Sequence, residues 1–176
     1  MEKIASKFSA DRIIWRYDPI VFWRDSSKIH TNYNENEFIF LCEKMQSLGI
    51  SRCYFSFVTN YKKFKNRFKT KYPDHTIENN QLYYNKVLKS IKEITKGYNI
   101  QLFSCCNDTL TNESILKGSC ISGKLLNTVS GSKNVSEAKS PTRDNCGCTK
   151  SIDIGNYTQQ PCYFGCIYCY ANPVWK

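Results

Sequence analysis

The chain has 176 residues, of which 41% are hydrophobic and 14% aromatic, a size and composition that suit one folded domain and exclude global disorder. Lys and Arg number 25 against 15 Asp and Glu, and the resulting net charge of +10 favours contact with polyanions without identifying a function. The apolar runs are too short for a signal-peptide core or for crossing a bilayer, so we expect a cytoplasmic protein with reduced thiols.

The first hundred residues alternate strand and helix patterns. Asn34 and Glu37 form a capping box, and Gly49 ends the apolar periodicity that follows. Pro19 comes directly after the first β-rich run and should stop strand pairing there. In chain order, the patterns predict a strand at 12–17, a helix between Asn34 and Gly49, a strand at 52–58, a helix at 82–96 and a strand at 100–104. This order indicates βα units around a parallel sheet.

The chain changes character after residue 106. Strand and helix signals fade there, apart from a short candidate helix at 124–129, and 130–143 is a polar linker. Eight of the ten cysteines fall between Cys105 and Cys169, which in a cytoplasmic protein favours metal binding or redox chemistry over disulfides. We therefore predict a βα domain at 1–106 and a cysteine-rich, loop-rich region at 107–176 that binds a metal ion or an iron–sulfur cluster.

Charged and thiol side chains follow the predicted strands. Ligand sites of βα folds lie beyond the carboxyl ends of the strands, so these side chains are expected to face one common site. Arg16 and Asp18 are either an ion pair that closes the strand ends or groups that bind a ligand. The residues at the three strand ends are Arg16, Tyr17 and Asp18, then Thr59, Asn60 and Tyr61, then Cys105, Cys106, Asn107 and Asp108.

The strongest motif is the C-x3-C-x2-C array formed by Cys162, Cys166 and Cys169. Three thiolates within eight residues can surround one metal centre, and Gly165 allows a tight backbone approach. The spacing differs from the C-x2-C pairs of zinc ribbons and from the bacterial ferredoxin pattern, although a zinc or ferredoxin-type site could use the same thiols. Three protein ligands on a 4Fe-4S cluster would leave one iron open for a substrate or cofactor.

This array resembles the signature of the radical S-adenosylmethionine superfamily, C-x3-C-x-aromatic-C, with Tyr168 in the aromatic position. The resemblance implies that the open iron chelates the amino and carboxyl groups of S-adenosylmethionine and that Tyr168 lies beside its adenine. It also implies a separate electron donor, since an electron from the cluster cleaves the sulfonium to a 5′-deoxyadenosyl radical. Arg16 and Asp18 would then line the substrate or cofactor pocket.

The chain also resembles, over nearly its whole length, an uncharacterised bacterial family that is a domain of unknown function with a radical-SAM-like cysteine cluster at its C-terminus. The matching motifs occur in the family's order: Trp15 to Pro19, Ser56-Phe57, Cys105, Gly118-x-Cys120-Ile121, Cys146-Gly147-Cys148, Asp153 to Gly155 and Cys166 to Asn172. Because members carry a further upstream half, the resemblance implies that this chain is a half βα barrel of about three units. A separately encoded N-terminal half, or a second copy of the chain, would be its partner, and a split-gene half could be inactive alone.

A second set of thiols consists of Cys105, Cys120, Cys146 and Cys148. Four thiolates suit a tetrahedral zinc site or a second, closed iron–sulfur cluster that relays electrons. Alternatively, Cys105 and Cys120 are small buried side chains and only the tail cysteines bind metal. Cys106 could replace Cys105 as a ligand. The remaining thiols, Cys42 and Cys53, occupy periodic apolar positions and are predicted to lie in the core.

A basic, aromatic segment offers a function of another class. Tyr61, Phe64, Phe68 and Tyr72 form a stripe at helical spacing among six Lys and Arg residues at 62–71. Such a helix could bind phosphate groups of RNA or DNA, which would make the protein a zinc-stabilised nucleic-acid-binding module. The reading that we favour is a helix whose aromatic stripe packs on the sheet while its lysines remain solvated.

Overall fold

The computed structural model describes residues 1–140, 145–152, 154–156, 159–160 and 162–169. Its strands fall into two sheets, one of four strands and one of three. In chain order, the helices and strands are α1 (Glu2–Phe8), β1 (Trp15–Ile20), β2 (Phe22–Arg24), β3 (Ile29–Thr31), α2 (Glu35–Ser47), β4 (Arg52–Phe57), α3 (Lys62–Lys71), β5 (Thr76–Glu78), α4 (Gln81–Gly97), β6 (Gln101–Cys105), β7 (Ile115–Gly118) and α5 (Gly123–Ser130).

The larger sheet is parallel and has the strand order β1-β4-β6-β7. Trp15, Cys53, Leu102 and Ile115 stand side by side across it, and each is at most 6% exposed. They belong to one hydrophobic core with buried side chains of α2 and α4 such as Phe38, Cys42, Val87 and Ile91. The predicted α/β class with a parallel sheet is therefore confirmed. The sheet is open, with β1 and β7 at its edges in the described part of the chain.

The smaller sheet is antiparallel, has the order β3-β2-β5 and was not predicted. Each of its strands has only three residues, too few for a period-2 pattern to emerge from the sequence. The sheet begins directly after β1, because Phe22 follows Ile20 by one intervening residue. It therefore lies beside the carboxyl end of the parallel sheet.

The prediction that Pro19 ends strand pairing was wrong. The strand β1 continues to Ile20, which pairs with Phe57 after an irregularity in register between Tyr17 and Ile20. Proline is tolerated here because β1 is an edge strand. Because the register is irregular at this point, the sheet does not require a hydrogen bond from the N–H group that proline lacks. The strand thereby carries Asp18 and Pro19 inside its bounds rather than beyond its end.

The helix signals were more accurate. Asn34 caps α2, its Oδ1 accepting from the Glu37 amide at 3.1 Å, and Gly49 takes the left-handed conformation after the helix. The predicted helices at 82–96 and 124–129 correspond to α4 and α5. Among the described residues, no helix is both long enough and apolar enough to cross a membrane.

The strand β7 lies beyond residue 106 and was missed by the sequence patterns. It pairs in parallel with β6, and Gly118 stands opposite Cys105. A Cβ atom on Gly118 would lie 2.9 Å from the Ser104 carbonyl oxygen, so only glycine allows this close approach. The parallel sheet thus extends across the predicted boundary at 106/107, and the register of β7 brings the segment after it close to Cys105.

Candidate functional site: thiols at the carboxyl edge of the sheet

Two cysteines meet where β6 and β7 end. Cys105 is the last residue of β6, and Cys120 follows the end of β7 by two residues. Their Sγ atoms lie 3.2 Å apart. Cys105 is buried and Cys120 is half-buried, so only the second thiol has substantial contact with solvent.

An arginine from the opposite edge strand contacts the same thiol. Arg16 in β1 donates from Nη1 to the Cys120 Sγ at 2.7 Å, and from Nη2 and Nε to the Asp18 carboxylate at 2.5 and 3.2 Å. The ion pair between Arg16 and Asp18, one of the two expected roles, is therefore present. Because β1 and β7 are opposite edges of the sheet, the segment after β7 must turn back across the sheet to reach Arg16. Tyr54 in β4 lies near this path, since its ring would be 3.3 Å from a Cβ atom added to Gly118.

The pKa values of Cys105 and Cys120 are shifted in opposite directions. The hydrogen bond between them and burial raise the pKa of Cys105 well above the ordinary value. The same hydrogen bond, followed by the positive charge of Arg16, lowers the pKa of Cys120 against the opposing effect of burial. Cys120 is therefore the more acidic thiol of the pair.

Cys146 and Cys148 lie next to this pair. The Ile121 amide donates to the Cys148 Sγ at 3.5 Å. Burial is the main cause of the raised pKa of Cys148, and a hydrogen bond with Cys146 and the charge of Cys120 contribute to it. Ser119 fixes this segment by donating from Oγ to the Gly147 carbonyl at 2.8 Å. The structure therefore brings together all four cysteines of the predicted second set.

The distance between the Cys105 and Cys120 sulfur atoms can be compared with the distance between two thiolates of a zinc site. Two thiolates on one tetrahedral zinc ion, with Zn–S bonds of about 2.3 Å, are separated by about 3.8 Å. The Cys105 and Cys120 sulfurs are closer than this, at 3.2 Å. Within the described ranges, no group of three or more His, Cys, Asp or Glu side chains is arranged to hold a metal ion. Metal binding by the second set stays a prediction.

The C-x3-C-x2-C motif lies at another position along the same edge. Cys162 and Cys166 are exposed and Cys169 is half-buried. The Cys169 amide donates to the Cys166 carbonyl at 3.1 Å, and the Cys169 carbonyl accepts from Arg67 Nη1 at 2.6 Å. Arg67 belongs to α3 and is only 7% exposed, so it ties the end of the motif to a helix of the main frame.

Tyr168 provides the second attachment of the motif. Its hydroxyl accepts from the Thr59 amide at 3.0 Å, and its ring lies 5.1 Å from each of the Tyr61 and Phe64 rings. Thr59 and Tyr61 follow β4, so Tyr168 is held beyond the carboxyl end of that strand. The sequence predicted a ligand site at this edge of the sheet, but it gave no sign that Tyr168 packs on α3.

Tyr168 also borders a cavity of about 290 Å³ lined mainly by rings, including Trp23, Phe68 and His75. The aromatic stripe of α3 faces this cavity and Tyr168, a partner for the stripe that the sequence did not reveal. Most basic side chains of α3 are exposed, whereas Arg67 is buried.

Cys42 and Cys53 are fully buried, which confirms their predicted place in the core.

One family model matches the chain, over residues 1–171, and its description is "Domain of unknown function (DUF1848)". The searches of curated proteins and of solved structures returned no match. Parts of two motifs quoted for the family resemblance, Asp153 and residues 170–172, lie outside the described residues, as does the 141–143 end of the predicted linker.

Proposed function

The chain belongs to the DUF1848 family, and from that premise we propose that it is an iron–sulfur protein of the radical S-adenosylmethionine type. Cys162, Cys166 and Cys169 would hold a 4Fe-4S cluster. The observation that carries the proposal is the attachment of this motif, through Tyr168 and Cys169, beyond the carboxyl end of β4. In open α/β sheets that edge is where ligands bind.

The donor set suits the cluster chemically. Thiolates are the usual protein ligands of iron–sulfur clusters, and this motif supplies three from one short segment. Cys162 and Cys166 are exposed, so both can turn toward incoming iron without disturbing the core, while Cys169 is already fixed through its carbonyl. Cluster assembly would therefore gather two exposed thiols around an anchored third. When bound, such a cluster supplies the electron for reductive cleavage of S-adenosylmethionine.

The residues around the motif suggest separate tasks. The Tyr168 ring is held by the Thr59 amide and by Phe64, which suits the proposed contact with a flat adenine. Asp18 holds the Arg16 guanidinium, and the two would line the substrate side of the pocket. An electron donor is required, and the open edges β1 and β7 are where a separately encoded barrel half or a second copy would pair.

The alternative of a zinc-stabilised nucleic-acid-binding module has less support. Its aromatic residues would have to be free to stack on bases. Phe64 is 4% exposed and packs against Tyr168, so the centre of the stripe is occupied within the chain. The exposed lysines of α3 remain able to attract polyanions nonspecifically.

The proposal is tested by anaerobic preparation of the full chain and measurement of iron, sulfide and zinc per chain. We expect about four irons with matching sulfide and little zinc. Cys166→Ala should abolish this iron, whereas Cys106→Ala, which alters a half-buried cysteine outside the motif, should retain it. Zinc alone in the wild-type chain, or full iron in Cys166→Ala, would refute the assignment.

A further inference from the structure

We propose that Cys105 and Cys120, which do not belong to the C-x3-C-x2-C motif, form a redox-active dithiol that reduces small organic disulfides carrying apolar groups. The two sulfur atoms lie 3.2 Å apart. That separation is shorter than the spacing of about 3.8 Å that a shared tetrahedral zinc ion requires. It suits two thiols that exchange a hydrogen bond and can close to a disulfide of about 2.05 Å.

The surroundings give the two thiols different roles. Cys120 is half-exposed and receives a hydrogen bond from the Arg16 guanidinium at 2.7 Å. A positive charge beside a sulfur atom favours its nucleophilic, anionic form. Asp18 fixes the guanidinium in this position through two contacts. Cys105 is buried behind Cys120, so Cys120 is the attacking thiol and Cys105 the resolving thiol.

A cavity of about 470 Å³ opens beside the attacking thiol, and Cys120 itself forms part of its wall. Its volume falls in the range of small-molecule sites. The rest of the wall is largely apolar and includes Ile14, Leu125, Leu126 and Val129. A disulfide with apolar substituents would bury them against these side chains, whereas polar, uncharged substituents would lose hydration there. Arg12 also lines the cavity.

The reaction is a two-electron thiol–disulfide exchange. The Cys120 thiolate attacks one sulfur of the organic disulfide, forms a mixed disulfide and expels the other sulfur as a thiolate. The Cys105 thiol then gives its proton to the expelled thiolate and attacks the Cys120 sulfur, which releases the second thiolate, and that thiolate takes a proton from water. The protein dithiol is oxidised to a disulfide, and the organic disulfide is reduced to two thiols.

Peptide mapping of the full chain can detect this product. The reduced protein is treated with dipropyl disulfide, the remaining thiols are blocked, and the chain is cut with trypsin. Cleavage after Lys96, Lys117 and Lys124 places the two cysteines on separate peptides, 97–117 and 118–124. We expect these peptides to be joined by a disulfide. Cys106 shares the first peptide and lies 3.9 Å from the Cys105 sulfur, so Cys106→Ser is the matched control and should retain the link.

Cys105→Ser separates the two steps. Cys120 should still be attacked, but peptide 118–124 should then carry a stable propylthio adduct instead of the link to 97–117. Cys120→Ser should give neither product. Circular dichroism of each variant checks that it is folded. The proposal would be overturned if both peptides of the wild-type chain stayed reduced. It would also be overturned if the two peptides were joined as efficiently in Cys105→Ser as in the wild-type chain.

The choice of substrate is tested with hydroxyethyl disulfide as a polar partner of similar size. Each rate of oxidation is divided by the rate of mercaptoethanol with the same disulfide, which removes intrinsic reactivity. We expect the normalised rate to be at least about tenfold higher for dipropyl disulfide, because its alkyl groups enter the apolar cavity. Equal normalised rates would overturn the substrate class.

Metal analysis distinguishes this dithiol from a second metal site and from the proposed cluster. The metal content of Cys105→Ser and Cys120→Ser should equal that of the wild-type chain, because the cluster proposed above uses other cysteines. Loss of zinc or iron in both variants would overturn the dithiol and assign the pair to a metal site. Failure of the cluster proposal would leave the joined peptides unaffected.

Discussion

Cys42 and Cys53 show how burial alone affects a thiol in this chain. Both are fully buried, and burial raises the pKa of Cys42 to about 12 and that of Cys53 well above its ordinary value. Cys120 is half-buried, yet the hydrogen bond from Cys105 and the charge of Arg16 lower its pKa. The pKa of a cysteine is therefore raised in the core of this chain and lowered at the edge of the sheet, where Arg16 lies beside it.

Arg16→Met tests this difference at the residue scale. Without the guanidinium the pKa of Cys120 should rise, and since alkylation requires the thiolate, the rate at pH values below the lowered pKa of Cys120 should fall about tenfold, the effect of about one pKa unit. The rate is followed as carbamidomethylation of peptide 118–124. Arg12→Met is the control, because Arg12 lines the same cavity but donates to the Val129 carbonyl. An equal loss of rate in both variants would contradict the role of Arg16.

The helices α2 and α4 and the strand β7 show what sequence patterns can and cannot predict. The helices α2 and α4 were predictable because their apolar periodicity is long and capped. The strand β7 was not, since in its four residues only Ile115 and Gly118 are buried and no alternation results. The gathering of the second cysteine set depends on β7. Residue types and spacing thus identified the thiols, but only the register of β7 with β6 explains which of them meet.

The close approach of β6 and β7 predicts that a methyl group added at Gly118 lowers the stability of the chain. Gly118→Ala would place a Cβ 2.9 Å from the Ser104 carbonyl oxygen, so we expect a loss of about 1–3 kcal/mol in the free energy of unfolding. Urea denaturation measures it. Gly97→Ala is the control, because a Cβ there has open space and helical alanine is favourable by about 0.5–1 kcal/mol. Equal stabilities of the two variants would argue against the described register.

The attachment of the cysteine motif to the sheet can be measured at Thr59. Tyr168→Phe removes the hydroxyl that accepts from the Thr59 amide. A hydrogen bond contributes about 1 kcal/mol, so hydrogen exchange of this amide should accelerate about fivefold. Tyr163→Phe is the matched control, since Tyr163 is 89% exposed in the same segment. Unchanged exchange at Thr59 in Tyr168→Phe would show that the motif is attached by other contacts.

At the scale of the whole molecule, the open parallel sheet governs association. The edges β1 and β7 have no neighbouring strand among the described residues of the chain. Unpaired edges tend to pair with another chain. We therefore propose that a second copy of the chain can pair with one of these edges and continue the sheet.

Sedimentation of the isolated chain tests this idea. We expect association that grows with protein concentration, and Leu116→Lys on β7 should weaken it because a charged side chain on an edge strand opposes pairing. Leu116 is 44% exposed, so the variant should fold. Leu82→Lys provides the control, because Leu82 is exposed on α4, away from the edges. A stable monomer at high concentration would speak against an edge partner.

Three thiolates of one short motif are proposed to hold a cluster with an open iron, and such an iron would allow the cluster to convert S-adenosylmethionine to 5′-deoxyadenosine. The anaerobically reconstituted full chain is mixed with S-adenosylmethionine and a strong reductant, and the product is quantified by chromatography against Cys166→Ala. We expect 5′-deoxyadenosine from the wild-type chain and none above background from Cys166→Ala. Equal amounts from the two proteins, or none from a wild-type chain loaded with about four irons, would contradict it.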